Sequence, residues 1–322
     1  MKKTRRKLIQ CITLGSTAAL PFKASLANEP ITISLGTATP GGGFPVYGAA
    51  FVEALKAVDP TLSIQAINTK GSAENIPLLE AGKLDIALVQ GESAFEALNG
   101  IGRPPAPLKI LTAMYSAAGM FVVRADSKYK TINDLLGEKI AFGAAGSGLV
   151  ILARYVLDGI GLDQSKDFTP ILLERAGDGP AMVLDGRAAA LWGGGIGWPG
   201  FTTMANSPGG ARFIAPTSEQ IARIQQKHSF LKAMSVPSGT YIGQDKPIQS
   251  VGSWSFVLVR PNLDEAITYR LAKALHAAES DLAKRLPQAS ETTATNTVKA
   301  LPRPELLHNG VARYFKEINL LR

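Results

Sequence analysis

Apolar and polar positions along this chain switch repeatedly between a two-residue period and a period of three to four. Ile31–Gly36 alternates and is rich in β-branched residues, which predicts a strand, and residues 49–58 behind it carry helical spacing. Leu62–Ile67 predicts a second strand. It runs into a polar turn at residues 68–71, then into a helix that opens at Ser72, places Ile76, Leu78 and Leu79 on its apolar side, and closes at Gly82. Residues 85–90 read as a short buried strand ending in the amide of Gln90. Strand, turn, helix and strand in that order build a parallel α/β sheet. Ligands of such sheets sit where strands end and helices begin. Here that rim carries Ser72, Asn75 and Gln90, which hydrogen-bond but include no evident nucleophile. The stretch is suited to holding a molecule, not to cutting one.

The same device occurs twice more. Residues 37–43 (TATPGGG) join the first strand to its helix, and residues 143–148 (GAAGSG) join a strand at 139–142 to a helix at 149–159. A glycine turn before a helix lets backbone N–H groups approach a ligand, and the helix dipole favours an anion there. The alternative is a tight turn that needs positive φ. Around the first turn, Gly42 and Gly43 supply backbone, while Thr39 and Tyr47 are expected to face a ligand. At the second, Ser147 with Gly148 either contacts the ligand or caps the helix.

Further strands are predicted at 108–115, 121–124, 168–173, 188–192, 212–215 and 250–259. Helices are predicted at 92–98, 181–184, Ser218–Lys227, 264–279 and 305–318, with a turn into a short helix within 127–136. The 188–192 strand runs into GGGIGWPG, residues 193–200. Two tryptophans in so open a backbone are hard to bury together. Trp192, Gly194 and Trp198 either line an apolar part of a pocket or serve as core and lid residues. The whole reads as α/β, two lobes with a ligand cleft between them. Residues 28–115 with 251–322 form lobe I and 116–250 form lobe II, with crossings near 115–120 and 241–253.

The first residues change the reading of charge. Met1 to Lys7 holds five basic residues and no acid, residues 8–20 are apolar or small, and Ala24-Ser25-Leu26-Ala27 has the small residues a signal peptidase reads. This predicts a signal peptide over residues 1–27, cleaved near Ala27, and a periplasmic destination. Arg5-Arg6 is compatible with either the Sec or the twin-arginine route. Cys11 is no lipobox cysteine, because Gln10 precedes it and it lies inside the apolar region. Past the leader the chain has no thiol, which excludes disulfides and cysteine chemistry there. Six of the 34 basic residues and none of the 26 acidic ones lie in residues 1–27, which leaves 28 against 26. A nucleic-acid or membrane-surface partner thereby loses its main support. No later apolar run is long enough to span a bilayer.

An enzyme is the competing class. The three histidines, His228, His276 and His308, fall on no glycine rim and in no metal-ligand spacing, so neither a serine nucleophile with its base nor a metal site is predicted. Acids such as Asp178 with Asp185 or Glu174 leave a periplasmic hydrolase as an alternative. A third class is a sensory module that presents its closed form to a membrane kinase. No cofactor is required.

Several segments carry a resemblance. GTATPGGGFPVYG (residues 36–48) followed by NTKGSAENIPLLEAGKLDIALVQ (68–90) is similar to the opening of the TAXI-type solute receptors of tripartite (TRAP) transporters. ADSKYKTINDLLGEKIAFGAAGSG, DGPAMVLDGRAAALWGGG, VPSGTYIG and SVGSWSFVLVRPNLDEAITYRLAKAL continue it in order over most of the chain. The resemblance implies a type II periplasmic-binding-protein fold, capture of a small organic solute such as a carboxylate or amino acid by a monomer, and delivery to TRAP membrane permease subunits. The chain departs from that family at Lys70, where glycine is frequent, and at Leu149, where threonine often follows GSG. Lys70 either pairs with a ligand carboxylate or is a solvated lysine at a turn.

Overall fold

Ile33 and Leu35 alternate with Thr32 and Ser34 along β1 (Ile31–Gly36), so one face of this strand enters a core. The structure, a computed structural model, describes residues 30–322. The predicted leader lies outside the described residues. After β1 come α1 (Gly43–Val58), β2 (Leu62–Ile67), α2 (Ser72–Glu80), β3 (Ile86–Val89) and α3 (Gly91–Asn99). β1 pairs in parallel with both β2 and β3. Phe44, Tyr47, Phe51 and Leu55 recur at helical spacing on the buried side of α1. Burial of each large apolar side chain contributes about 1.5–3 kcal/mol.

β4 (Lys109–Arg124) then runs out of the first lobe and into the second. The sequence suggested two strands here. They merge because Ser116, Ala117 and Ala118 continue the antiparallel ladder with β10 before Gly119 takes up pairing in the second sheet. The second lobe contains β5 (Lys139–Ala144), α4 (Gly148–Gly159), β6 (Thr169–Leu173), α5 (Gly179–Leu184), β7 (Ala190–Gly194), α6 (Pro199–Ala205), β8 (Ala211–Ile214), α7 (Ser218–Lys227) and β9 (Lys232–Val236). β9 was not anticipated. Only Val236 of its five residues is buried, so it lacks the apolar alternation that marks a strand. β10 (Ile248–Val259) returns to the first lobe, where α8 (Glu265–Arg285), α9 (Ala294–Ala300) and α10 (Asn309–Glu317) pack.

The strands follow the order β2-β1-β3-β10-β4-β7-β5-β6, with β8 on β4 and β9 on β10. One apolar cluster spans residues from Ile33 to Tyr115 and from Phe256 to Phe315, and the other runs from Ala118 to Val251. The chain passes between the clusters only along β4 and β10. Both passages are strands, which bend and twist more readily than they break.

Asp85 ties the first lobe together. Its carboxylate accepts from the Ser34 amide and hydroxyl, both at 2.9 Å, and from Arg260 Nε at 2.9 Å. Partial burial alone would raise its pKa, but these hydrogen bonds outweigh that and hold it below the usual carboxylate value. The histidines are packing residues: His228 contacts Asp158, His276 the Tyr314 hydroxyl, and buried His308 both Thr268 and the start of α10. Among the described residues no helix is long and apolar enough to cross a membrane.

Candidate functional site

A cavity of about 40 Å³ lies between the lobes. One water needs about 10–15 Å³ by the same measure, so this space suits a few waters or the polar head of a small solute. Its wall comes from the turns that precede helices. Thr39, Gly42, Gly43 and Phe44 line it at the start of α1, Lys70, Gly71 and Ser72 at the start of α2, and Gln90 just before α3. Ser147, Gly148 and Leu149 at the start of α4 face them. Ala176, Gly194 and Trp198 complete the far side.

The electrostatics favour an anion. The first N–H groups of a helix have no partner within it, and the dipole places partial positive charge there. α1, α2 and α4 begin in the wall, and Gln90 is the N-cap of α3. Lys70 is the one charged residue of the lining, and no carboxylate belongs to it. Tyr115 also lines the cavity. Its hydroxyl has no hydrogen-bond partner among the described residues, and burial pushes its pKa up. A buried phenol usually finds a partner, so this one is available to a ligand.

The rim of the first lobe is braced from behind. Ser72 Oγ accepts from the Gln90 backbone N–H at 3.0 Å, locking the start of α2 to the end of β3. Asn75 Nδ2 donates to the carbonyls of Thr37 and Leu88, both at 2.8 Å, and so spaces the ends of β1 and β3. In the second lobe Ser147 Oγ caps α4 through Leu149 N at 3.2 Å.

The lobes are closed on each other. Ala176 N donates to Thr39 Oγ1 at 3.1 Å, Gly177 N to the Pro40 carbonyl at 3.3 Å, and Ala73 N to the Gly146 carbonyl at 3.1 Å. Phe95 of α3 stacks on Phe230 at 3.9 Å, and Glu96 accepts from Tyr155 at 2.8 Å and from Arg154. Closure depends on absent side chains. A Cβ on Gly71, which has φ +110°, would lie 2.9 Å from the Gly146 oxygen, and one on Gly148 would lie 2.2 Å from Gln90 Cβ. These glycines give backbone access to the cavity and let the lobes meet.

Of the thirteen residues singled out from sequence, ten line the cavity: Thr39, Gly42, Gly43, Lys70, Ser72, Gln90, Ser147, Gly148, Gly194 and Trp198. Three do not, which corrects the expectation. Tyr47 is fully buried against Phe51 and Tyr115, with its hydroxyl 3.2 Å from Thr292, because its place on α1 points it into the core. Asn75 sits one turn too deep and acts as the brace described above. Trp192 donates its indole N–H to the Leu149 carbonyl at 2.9 Å and meets Phe121 edge-on at 4.7 Å. Both tryptophans are buried, contrary to the difficulty anticipated. Gly193 and Gly200 leave the space that Trp198 fills, and Gly119 the space for Trp192. Tyr115 was the main omission. It lies inside an apolar run at the crossing, and a lone tyrosine there carries no local signal of a site.

Comparison with known proteins agrees with this architecture. The model of the NMT1-like family matches residues 35–318. Among solved structures, one described as a periplasmic transporter is similar at TM-score 0.55 and 13% identity, covering 80% of this chain and 87% of that one. A protein of Bordetella bronchiseptica RB50 is similar at TM-score 0.52 and 15% identity, covering 89% and 98%. PhnD1 from Prochlorococcus marinus (MIT 9301), in complex with methylphosphonate, is similar at TM-score 0.52 and 12% identity, covering 91% and 100%. At these identities the likeness is one of fold. The fold is the two-lobed, type II arrangement of periplasmic solute-binding proteins.

Proposed function

The chain belongs to the NMT1-like family of periplasmic solute-binding proteins, and on that premise we propose that it captures a small organic anion or zwitterion in the cavity between its lobes. The family is one of binding proteins, not of enzymes. The observation that carries the proposal is a small cavity between the lobes whose wall joins several helix N-termini to Lys70 and contains no carboxylate. In the open clamp the solute's anionic group docks on the first-lobe rim, at Ser72, Gln90, Lys70 and the adjacent N–H groups. Closure adds Ser147, Gly148 and Trp198, excludes water and strengthens every charge-assisted bond.

The resemblance of residues 36–48 and 68–90 to TAXI-type receptors supports a carboxylate or amino acid as the solute. It also supports delivery from the periplasm by a monomer to TRAP permease subunits. The leader read over residues 1–27 supports export. The test is a thermal-shift panel of small carboxylates, amino acids, phosphonates and sulfonates on the purified protein. A saturable rise in melting temperature with one of them, following the linkage between ligand binding and stability, is expected. No shift in protein shown by mass spectrometry to be empty would overturn the reading.

A further inference from the structure

A buried polar cluster lies directly behind the cavity. Gln90 lines the cavity and is 5% exposed, and Glu92, two residues on in the first turn of α3, is 0% exposed. Glu92 Oε1 accepts from Ser253 Oγ at 2.7 Å, and Ser253 belongs to β10, a strand that crosses between the lobes. Two buried atoms in this cluster complete no hydrogen bond, Gln90 Nε2 and Glu92 Oε2. A pair of orphans with complementary chemistry on neighbouring side chains is costly unless they serve each other in some state. Gln90 is the N-cap of α3 and Glu92 stands in its first turn, so the two buried side chains leave the chain on either side of Gly91, and proximity to the Gln90 amide favours the ionised Glu92 carboxyl.

We propose that Glu92 is a positioning residue that sets which end of the Gln90 amide faces the bound solute. An ionised carboxylate only accepts, while a carboxylic acid carries one O–H donor, and a glutamine amide has a donor end and an acceptor end. When Glu92 is ionised it draws Nε2 toward itself and leaves the Gln90 carbonyl on the cavity side. When Glu92 is protonated, Ser253 occupies Oε1, so the proton sits on Oε2 and donates to the Gln90 carbonyl. The amide then turns and presents Nε2 to the cavity. The second state offers an anion a donor in place of an acceptor, so capture of an anion takes up one proton. This step rests on the anion reading above.

The surroundings place the change at a useful pH. Burial, partly offset by the Ser253 hydrogen bond, pushes the Glu92 carboxyl up to about 7. Glu96, one turn along α3, adds a like charge and is itself held by Arg154 and Tyr155 of α4. Ser253 faces Glu92 from β10, and the Ser93 and Ser255 hydroxyls are buried and unpaired. Affinity for an anion is therefore highest below this pH and falls as pH rises through it, by at most about tenfold per pH unit for one coupled proton.

The test needs no solute. Glutamine side chains are labelled with 15N, and the Gln90 NH2 pair, assigned by its loss in Gln90→Met, is followed from about pH 5.5 to about 8.5. The pair is expected to move with a midpoint near that of Glu92 and to stay still in Glu92→Gln. Should Glu92→Gln not fold, 13Cδ labelling of glutamate in the unaltered protein decides, with Glu92 and Gln90 expected to titrate together. A Gln90 pair that is flat with pH, or that titrates unchanged in Glu92→Gln, overturns the proposal. A failed solute screen would leave this coupling intact, and a flat Gln90 pair would leave capture intact, so the two failures are distinguishable.

Discussion

The two lobes contribute unlike walls to one cavity. The first lobe offers side chains that hydrogen-bond, Thr39, Lys70, Ser72, Gln90 and Tyr115, over a braced frame in which Asn75 spaces the ends of β1 and β3 and Ser72 ties α2 to β3. The second offers backbone and apolar surface, Ala144, Gly148, Leu149, Gly194 and Trp198, and its one hydroxyl, Ser147, is already engaged in capping α4. The difference implies a division of labour. On the function proposed above, the first lobe reads the solute and the second shuts water out so that what is read counts for more.

The most forceful way to break this comparison is Gly148→Val. The added side chain meets Gln90 and keeps the second lobe from seating. Calorimetry with a solute found by the thermal screen is expected to show affinity lower by at least about a hundredfold, and undiminished affinity would deny the lid role. Trp192→Ala removes the largest fully buried side chain and is expected to cost about 3–5 kcal/mol in urea unfolding. An unchanged midpoint would take Trp192 out of the second-lobe core. Lys70→Ala is expected to weaken anion capture about tenfold or more while leaving the melting temperature of the free protein in place, since Lys70 is exposed at a turn. Equal affinity would leave Lys70 as a solvated turn residue.

Two weaker effects sharpen the picture. Asp85 has a depressed pKa in the folded protein, so it contributes stability that is present above its unfolded value of 3.8 and lost as pH falls through the lower folded value. Because Ser34 and Arg260 are its partners, acid is expected to loosen the first lobe in that window. Asp85→Asn should flatten this loss in an acid titration followed by circular dichroism, and an identical curve would count against it. The smallest effect belongs to Arg154→Ala. Its pairing with Glu96 latches the lobes, but Arg154 is 54% exposed, so affinity is expected to fall by no more than about fivefold. A larger loss would make the latch a principal part of closure.

Much of the cavity was legible from sequence because its wall is made of strand-to-helix turns, and such turns announce themselves by glycine, serine and threonine between two periodic segments. Ser72, Gly148 and Gln90 were found that way. Tyr47 was misread by the same logic. It lies four residues beyond Gly43, on the same face of α1 but one full turn deeper, so its side chain sits beneath the rim and packs on Phe51 in the core. Trp192 and Trp198 look alike in a glycine run, yet one is core and the other wall. The distinction comes from Gly119, Gly193 and Gly200, of which Gly119 belongs to another strand. β9 was invisible because its pairing with β10 supplies what its own composition does not.

By itself the sequence determined the periodic elements, the parallel α/β grammar and the glycine turns, since each is a local matter of backbone freedom and side-chain spacing. It also located the charge excess in the first residues and left the remainder nearly neutral. Only the tertiary structure decided which rim residues meet across the cleft, how close Gly71 and Gly148 come to the opposite lobe, and that Tyr115 and the Glu92–Ser253 pair stand beside Gln90. Those relations join residues far apart in the chain. They follow from where β4 and β10 cross between the lobes, and no window of sequence contains both sides of such a contact.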